Sequence, residues 1–459
     1  MNVHADTADT IVAPATPPGE GALALVRLSG PLCAAIARDA LGRREPPVPR
    51  RATLGLWRDT AGTVIDQCVV TLHAAGASYT GEPALEITCH GNPLIVAALL
   101  RDCRARGCRD ATGGEFTRRA FLNGRLDLAQ AEAVADTIHA RSERALAAAR
   151  RQLAGELGAR VAAWTERALA ALAEMEAYID FADEDLPAGG GVAAPAAALR
   201  GLADELAAVA AGARFGPALR DGVTVAIAGA PNAGKSSLLN ALLGEERALV
   251  SAEPGTTRDF IRERASVGGH AVWLVDTAGL RAAAGAAEIE RLGMERARAQ
   301  VAAADFLLLV ADVSTPPPAL PEWLPGPLAP ERVLLALNKC DLPACAETAA
   351  WLPALRRAEV SARTGAGVDA LRGALADSLT AAGVVPDCDA FVAGERHAEA
   401  LRRAAGALGT AADALLAGTA PEFAASDVRL ALDALGDITG RVDNERVLDK
   451  VFATFCIGK

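Results

Sequence analysis

From about Ala129 to Phe181 the chain runs almost without glycine or proline, and Leu153, Leu157, Val161, Trp164, Leu172, Met175 and Ile179 recur on one helical stripe. That periodicity predicts a long amphipathic helix, or two helices end to end. An acidic turn (Asp183–Pro187) and a Gly/Ala/Pro linker around Gly189 to Pro195 close it, and a second helical pattern runs from about Ala196 to Ala213. The pattern then changes. Val223–Ala228, Ala271–Val275, Phe306–Val310 and Val333–Leu337 are unbroken apolar runs separated by helical segments, which predicts strands buried on both faces of a parallel, doubly wound sheet. The stretch Pro316–Pro330 is expected to be a surface loop, and past Pro386 the pattern is helical again, to a short helix near Asn444–Thr454. Before Ala129, shorter runs (Ala22–Val26, Val69–Leu72, Ala84–Thr88) punctuated by Gly and Pro predict a compact α+β unit. An α/β multidomain protein follows, with an α/β domain inserted into a helical one.

Composition narrows this. The chain has 459 residues, 51% hydrophobic and 22% charged, which excludes global disorder and suits several packed domains. Aromatics are 4%, so burial rests on Ala, Leu and Val. The net charge of -11 excludes a surface that coats nucleic acid generally, leaving RNA contact local or partner-supplied. Nine cysteines include two C-x4-C pairs (Cys103/Cys108, Cys340/Cys345) without nearby histidines, so reduced thiols are favoured over zinc. No basic-then-apolar start and no apolar run of membrane length occur, so a cytoplasmic protein without a membrane partner is expected. Of the 46 basic residues only four are lysine (Lys235, Lys339, Lys450, Lys459). Where arginine is written almost everywhere, a surviving lysine is a candidate for a required compact ammonium, which suits Lys235, Lys339 and Lys459 within motifs but gives no account of Lys450.

Gly229-Ala-Pro-Asn232-Ala233-Gly234-Lys235-Ser236, followed by Ser237, lies between the first buried strand and an apolar helix. That is the context a phosphate-binding loop needs: backbone N–H groups face the phosphates, Lys235 neutralises their oxygens and Ser236 holds Mg2+. Three more segments follow in order. Asp276-Thr277-Ala278-Gly279 offers a carboxylate to the Mg2+ shell and an amide to the γ-phosphate. Asn338-Lys339-Cys-Asp341 offers a carboxylate to the ring donors of guanine, and Ser361-Ala362-Arg363 braces the base. Adenine lacks that donor pair, so the set selects GTP. Between them Gly255-Thr256-Thr257 is a switch segment in which a threonine closes the Mg2+ shell. Leu280 stands where many such enzymes carry a water-orienting glutamine, leaving Glu288 and Glu290 as the nearest acidic alternatives.

With its flanks, this set resembles the MnmE (TrmE) family of tRNA-modification GTPases. The flanks are Asp9–Gly19, Tyr79–Glu86 with His90-Gly91, Gly114–Leu128, Ile179–Asp185 and the tail Cys456-Ile-Gly-Lys459. The resemblance implies a tetrahydrofolate-binding and dimerisation domain (1–122), a helical domain in two parts (123–217 and 383–459, the latter with the tail), and an inserted Ras-like P-loop G domain (218–382). It implies a homodimer acting with the flavoprotein MnmG to place a carboxymethylaminomethyl group at C5 of the wobble uridine (U34) of certain tRNAs. The one-carbon unit would come from 5-formyl- or methylene-tetrahydrofolate. It further implies folate contacts from Arg27, Glu86, Arg125 and Lys459, with Cys456 a candidate for the chemistry and His90 near the pocket. K+ would be held by Asn232, Ser251, Glu253 and Thr256, with Ala252, Pro254 and Gly255 completing the nucleotide-facing loop. Mg2+ would be held by Ser236 and Thr257, and Glu290 would orient water. GTP hydrolysis would then drive G-domain dimerisation and conformational change. Arg125 departs from the family's usual lysine. The alternative reading, a ribosome-assembly or signalling GTPase of the Era/Der kind, shares the G motifs but not these flanks. His73, His139, His270 and His397 are read as surface or packing residues.

Overall fold

The structure is a computed structural model. It describes residues 9–180, 192–212, 216–244, 262–276, 298–299, 301–317, 329–385, 394–440, 451–452, 455 and 458. The chain divides into two units. The first comprises Met1–Ile138, Arg151–Leu202 and Gly406–Lys459. Its sheet has strands β1 (Thr10–Pro14), β2 (Gly21–Ser29), β3 (Thr53–Arg58), β4 (Val64–His73), β5 (Ala84–Gly91) and β6 (Cys108–Asp110), in the order β3-β4-β5-β2-β1-β6. All neighbours are antiparallel except β1 and β6. Burial alternates along β5: Leu85, Ile87 and Cys89 point into the core, while Glu86, Thr88 and His90 face the other way. Helices Cys33–Ala40 and Pro93–Ala105 contribute Ile36, Leu99 and Cys103 to that core. The second helix starts by rule: the Asn92 side chain accepts from Leu94 N–H and Pro93 takes the first turn. Burial pushes the Cys33 and Cys68 thiols up to about 12, so they act as apolar packing.

The helical run expected as one or two helices is three: Leu128–His139, Glu143–Leu153 and Glu156–Asp180. Asp127 and Gln130 form reciprocal caps, each side chain accepting from the other's backbone N–H at 2.7–2.9 Å. Gln130 Nε2 also donates to Leu153 O (3.0 Å), and Gly155 takes a left-handed turn (φ 87°) that ends the middle helix. Leu157, Val161, Trp164, Leu172 and Met175 are buried, as the stripe requires. Helix Pro421–Thr439 packs against Glu156–Asp180, with Arg429 paired to Glu176 at 2.6 Å.

The second unit comprises His139–Arg150 and Ala203–Ala405. Its strands are β7 (Val223–Gly229), β8 (Arg262–Val267), β9 (His270–Asp276), β10 (Phe306–Asp312), β11 (Val333–Asn338) and β12 (Arg356–Val360), in the order β12-β11-β10-β7-β9-β8. Every neighbour pair is parallel except β8–β9. Apolar clusters on both faces explain the unbroken runs: Val225, Ile227, Leu308 and Val310 face one way, Ala226, Ala228, Leu307 and Leu309 the other. Strand β8, Arg-Glu-Arg-Ala-Ser-Val, has no such run because it is an antiparallel edge with charged positions. Parallel order brings the C-terminal ends of β7, β9, β10, β11 and β12 to one edge of the sheet.

Candidate functional site

At that edge β7 turns through Gly229–Gly234 into helix Lys235–Leu243. Gly229 (φ 152°) passes so close to Val310 O that a Cβ would collide with it, and Asn232 holds a left-handed backbone (φ 63°). Lys235 is 7% exposed, and its Nζ donates back to Gly229 O (3.0 Å) and Ala230 O (2.7 Å), spanning the loop. Ser236 Oγ donates to Asp276 Oδ2 at 2.7 Å. A hydroxyl and a carboxylate thus meet at a helix N-terminus, a donor set that fits Mg2+ beside phosphate oxygens. Ser237, the next residue of the helix, is exposed. At the far end of the helix, Arg372 Nη2 donates to Leu242 O (2.8 Å).

The base side hangs on Asn338, 1% exposed at the end of β11. Its Nδ2 donates to Ala233 O (2.8 Å) and its Oδ1 accepts from Ala362 N–H (3.1 Å). Three motifs are thereby tied by one side chain, and Gly234 must lack a Cβ because Asn338 Nδ2 lies in its place. Lys339 holds a left-handed backbone (φ 64°) and its Nζ meets Asp312 Oδ2 at 2.5 Å. Burial works against the charge of Asp312, but hydrogen bonds from Lys339 and Ser314 outweigh it and hold the carboxyl below its usual range. Asp312 was missed in the sequence; the signal was Asp-x-Ser at a strand end, where Ser314 N–H caps the carboxylate. Asp341 accepts from the Ser361 hydroxyl and pairs with Arg363, and these bonds hold its carboxyl below the usual range. It is an ionised double acceptor, the partner that adjacent ring N–H donors of guanine require. Of the remaining sequence-predicted residues, Ser251, Ala252, Glu253, Pro254, Gly255, Thr256, Thr257, Thr277, Ala278, Gly279, Glu290, Cys456 and Lys459 lie outside the described residues.

A second constellation lies in the first unit. Arg27 on β2 sits opposite Glu86 on β5, and Arg27 Nη2 meets Glu86 Oε1 at 2.9 Å. The Tyr79 ring lies 5.9 Å from the Arg27 guanidinium carbon, and its hydroxyl is 2.9 Å from Thr117 Oγ1. His73 Nε2 is 3.8 Å from Glu86 Oε2. Arg125 lies against the turn that follows Tyr79: a Cβ on Gly81 would come 3.3 Å from Arg125 Cγ. Gly458 of the tail lies against Pro14 and Ala15 at the end of β1, where Ala13 pairs with Arg27. A carboxylate, a guanidinium and an aromatic face side by side fit a planar amino-pyrimidinone ring such as a pterin. Tyr79, His73 and Thr117 were not singled out as site residues in the sequence. His90 stands apart: its Nδ1 and backbone N–H engage Asp66 at 2.8 Å.

The profile described as "MnmE helical domain" matches residues 128–456, and "GTP-binding protein TrmE N-terminus" matches residues 10–125. The tRNA modification GTPase MnmE of Opitutus terrae is 50% identical, over 98% of this chain and 99% of that protein. The proteins of the same name from Halorhodospira halophila (45%, over 99% of this chain and 96% of that one) and Methylorubrum populi (46%, over 98% of each) are similar along the same length.

Proposed function

The chain belongs to the MnmE family of tRNA-modification GTPases, and from that premise we propose that it hydrolyses GTP in the service of tRNA modification. The observation that carries this is Asn338, whose one side chain joins the phosphate loop to the segments that face the base. GTP binds across the edge of the second unit's sheet. Lys235 leaves the carbonyls of Gly229 and Ala230 for the β/γ oxygens, Ser236 and Thr257 hold Mg2+, and Asp341 receives the guanine donors. Mg2+ and K+ supply positive charge where negative charge develops on the phosphates. Asn232, with Ser251, Glu253 and Thr256, holds K+, and Glu290 orients the attacking water in place of the glutamine that Leu280 cannot supply.

In the finer reading the protein is a homodimer of three-part chains with the boundaries given above, and it works with the flavoprotein MnmG on tRNA. A tetrahydrofolate bound at Arg27, Glu86 and Arg125 supplies the one-carbon unit. Glu86 would accept the ring donors of the pterin beside Arg27, whose guanidinium lies over Tyr79, with Lys459 a further contact and Cys456 a candidate for the chemistry. The product is carboxymethylaminomethyl at C5 of the wobble uridine, and hydrolysis gates it through G-domain dimerisation. The test is GTP turnover in KCl against NaCl at equal ionic strength, with Asn232→Ala alongside. K+-specific stimulation lost in the variant is the expected result. Equal rates in both salts would remove K+ and Asn232 from the mechanism.

A further inference from the structure

Gly113 and Gly114 precede helix Glu115–Leu122. Two of the described tail residues lie on them. A Cβ on Gly113 would come 2.7 Å from Phe455 O, and one on Gly114 would come 2.9 Å from both Phe452 O and Phe455 Cβ. Real Cβ atoms do not approach backbone so closely, so each glycine is needed for the tail to pass. Gly113 has no left-handed backbone to explain it, and among the described residues the tail's carbonyl group is what opposes a side chain there. A third close approach follows in the same direction, where a Cβ on Gly458 would collide with Pro14 O. Between these points, the Phe452 and Phe455 rings (centroids 5.5 Å apart) pack with Phe121, Ala131, Val134 and Ala135.

We propose that Gly113 and Gly114 form a backbone seat that fixes the C-terminal tail between helix Glu115–Leu122 and the end of β1, making them positioning residues for tetrahydrofolate chemistry. The proposal rests on the folate reading above. In sequence Cys456 follows Phe455 directly and Lys459 follows Gly458, so anchors at Phe455 and Gly458 restrain the chain to which both are joined. Ordering them in advance removes a conformational cost from ligand binding, because a free chain end would have to be fixed at that moment. The two apposed backbones leave no room for the smallest side chain, which gives the device its test.

The experiment is a cycle between Gly113→Ala and a chain lacking Phe455–Lys459, each alone and combined. The readouts are hydrogen exchange of the peptide spanning Val451–Lys459 and affinity for 5-formyl-tetrahydrofolate. In the full-length chain, Gly113→Ala should speed tail exchange tenfold or more and weaken folate binding fivefold or more. In the shortened chain the same substitution should change folate affinity less than twofold, since its obstacle is gone. Equal losses with and without the tail, or unchanged tail exchange in the full-length variant, would overturn the seat. Absence of folate binding to the unaltered protein would overturn the folate reading while leaving the exchange result to judge the seat.

Discussion

His270 opens β9, the strand that delivers Asp276 to the phosphate site, and it is 2% exposed. Neither ring nitrogen has a hydrogen-bond partner among the described residues. It lines a cavity of about 490 Å³ with Arg144, Gly268, Asp377 and Thr380. Burial first, and the charge of Arg144 second, push the imidazole down from 6.5 to about 4. The folded chain therefore binds this proton less readily than the unfolded chain. Stability from the neutral ring is complete above 6.5 and drains as the pH falls toward 4. Between pH 7 and pH 5 the drain is about 2 kcal/mol, roughly thirtyfold in the unfolding constant. Urea titrations read from the Trp273 indole N–H resonance, which reports the same strand through its bond to Asp221 O (2.6 Å), measure it. His270→Leu should lose about 2 kcal/mol less than the unaltered chain over this range, and it should be no less stable at pH 7 because it removes two unpartnered polar atoms. Parallel losses in the two proteins would refute the argument.

Three further outcomes are expected. Lys235→Arg should abolish single-turnover phosphate release as completely as Lys235→Ala, because a planar guanidinium cannot replace a buried ammonium that reaches Gly229 O and Ala230 O. Asn338→Ala strips partners from Ala233 O and Ala362 N–H, and at about 1–3 kcal/mol for a buried group left unsatisfied it should weaken GDP binding roughly tenfold to a hundredfold by calorimetry. Asp341→Asn replaces an acceptor by a group that also donates, so competition binding should show lost affinity for GTP and a gain for xanthosine triphosphate, whose ring carries a carbonyl where guanine carries an amine.

Much of this protein was legible in its residues. Gly229–Ser236 could be read because a strand, a glycine turn and a lysine are all local, and four buried strands could be read because unbroken apolar runs have one simple explanation. Edge strand β8 could not, because one antiparallel partner and an open side leave no apolar run. The breaks at Ala140–Ser142 and Ala154–Gly155 were also hidden: the stripe continues in phase across Gly155, while the turn is made by its left-handed backbone and by Gln130 reaching Leu153 O. Sequence therefore determined the chemical inventory: a lysine in the Gly229–Ser236 loop, an aspartate two residues past Lys339, a carboxylate and guanidinium in the first unit, and the segment Cys-Ile-Gly-Lys. Tertiary structure alone decided the pairings. Asp312 meets Lys339 across 27 positions and Asn338 meets Ala233 across 105, while Phe455 lies on Gly113 although no local rule connects them. Local conformation follows from near neighbours, but which groups share a hydrogen bond, or which glycine must stay bare, is fixed when distant segments pack.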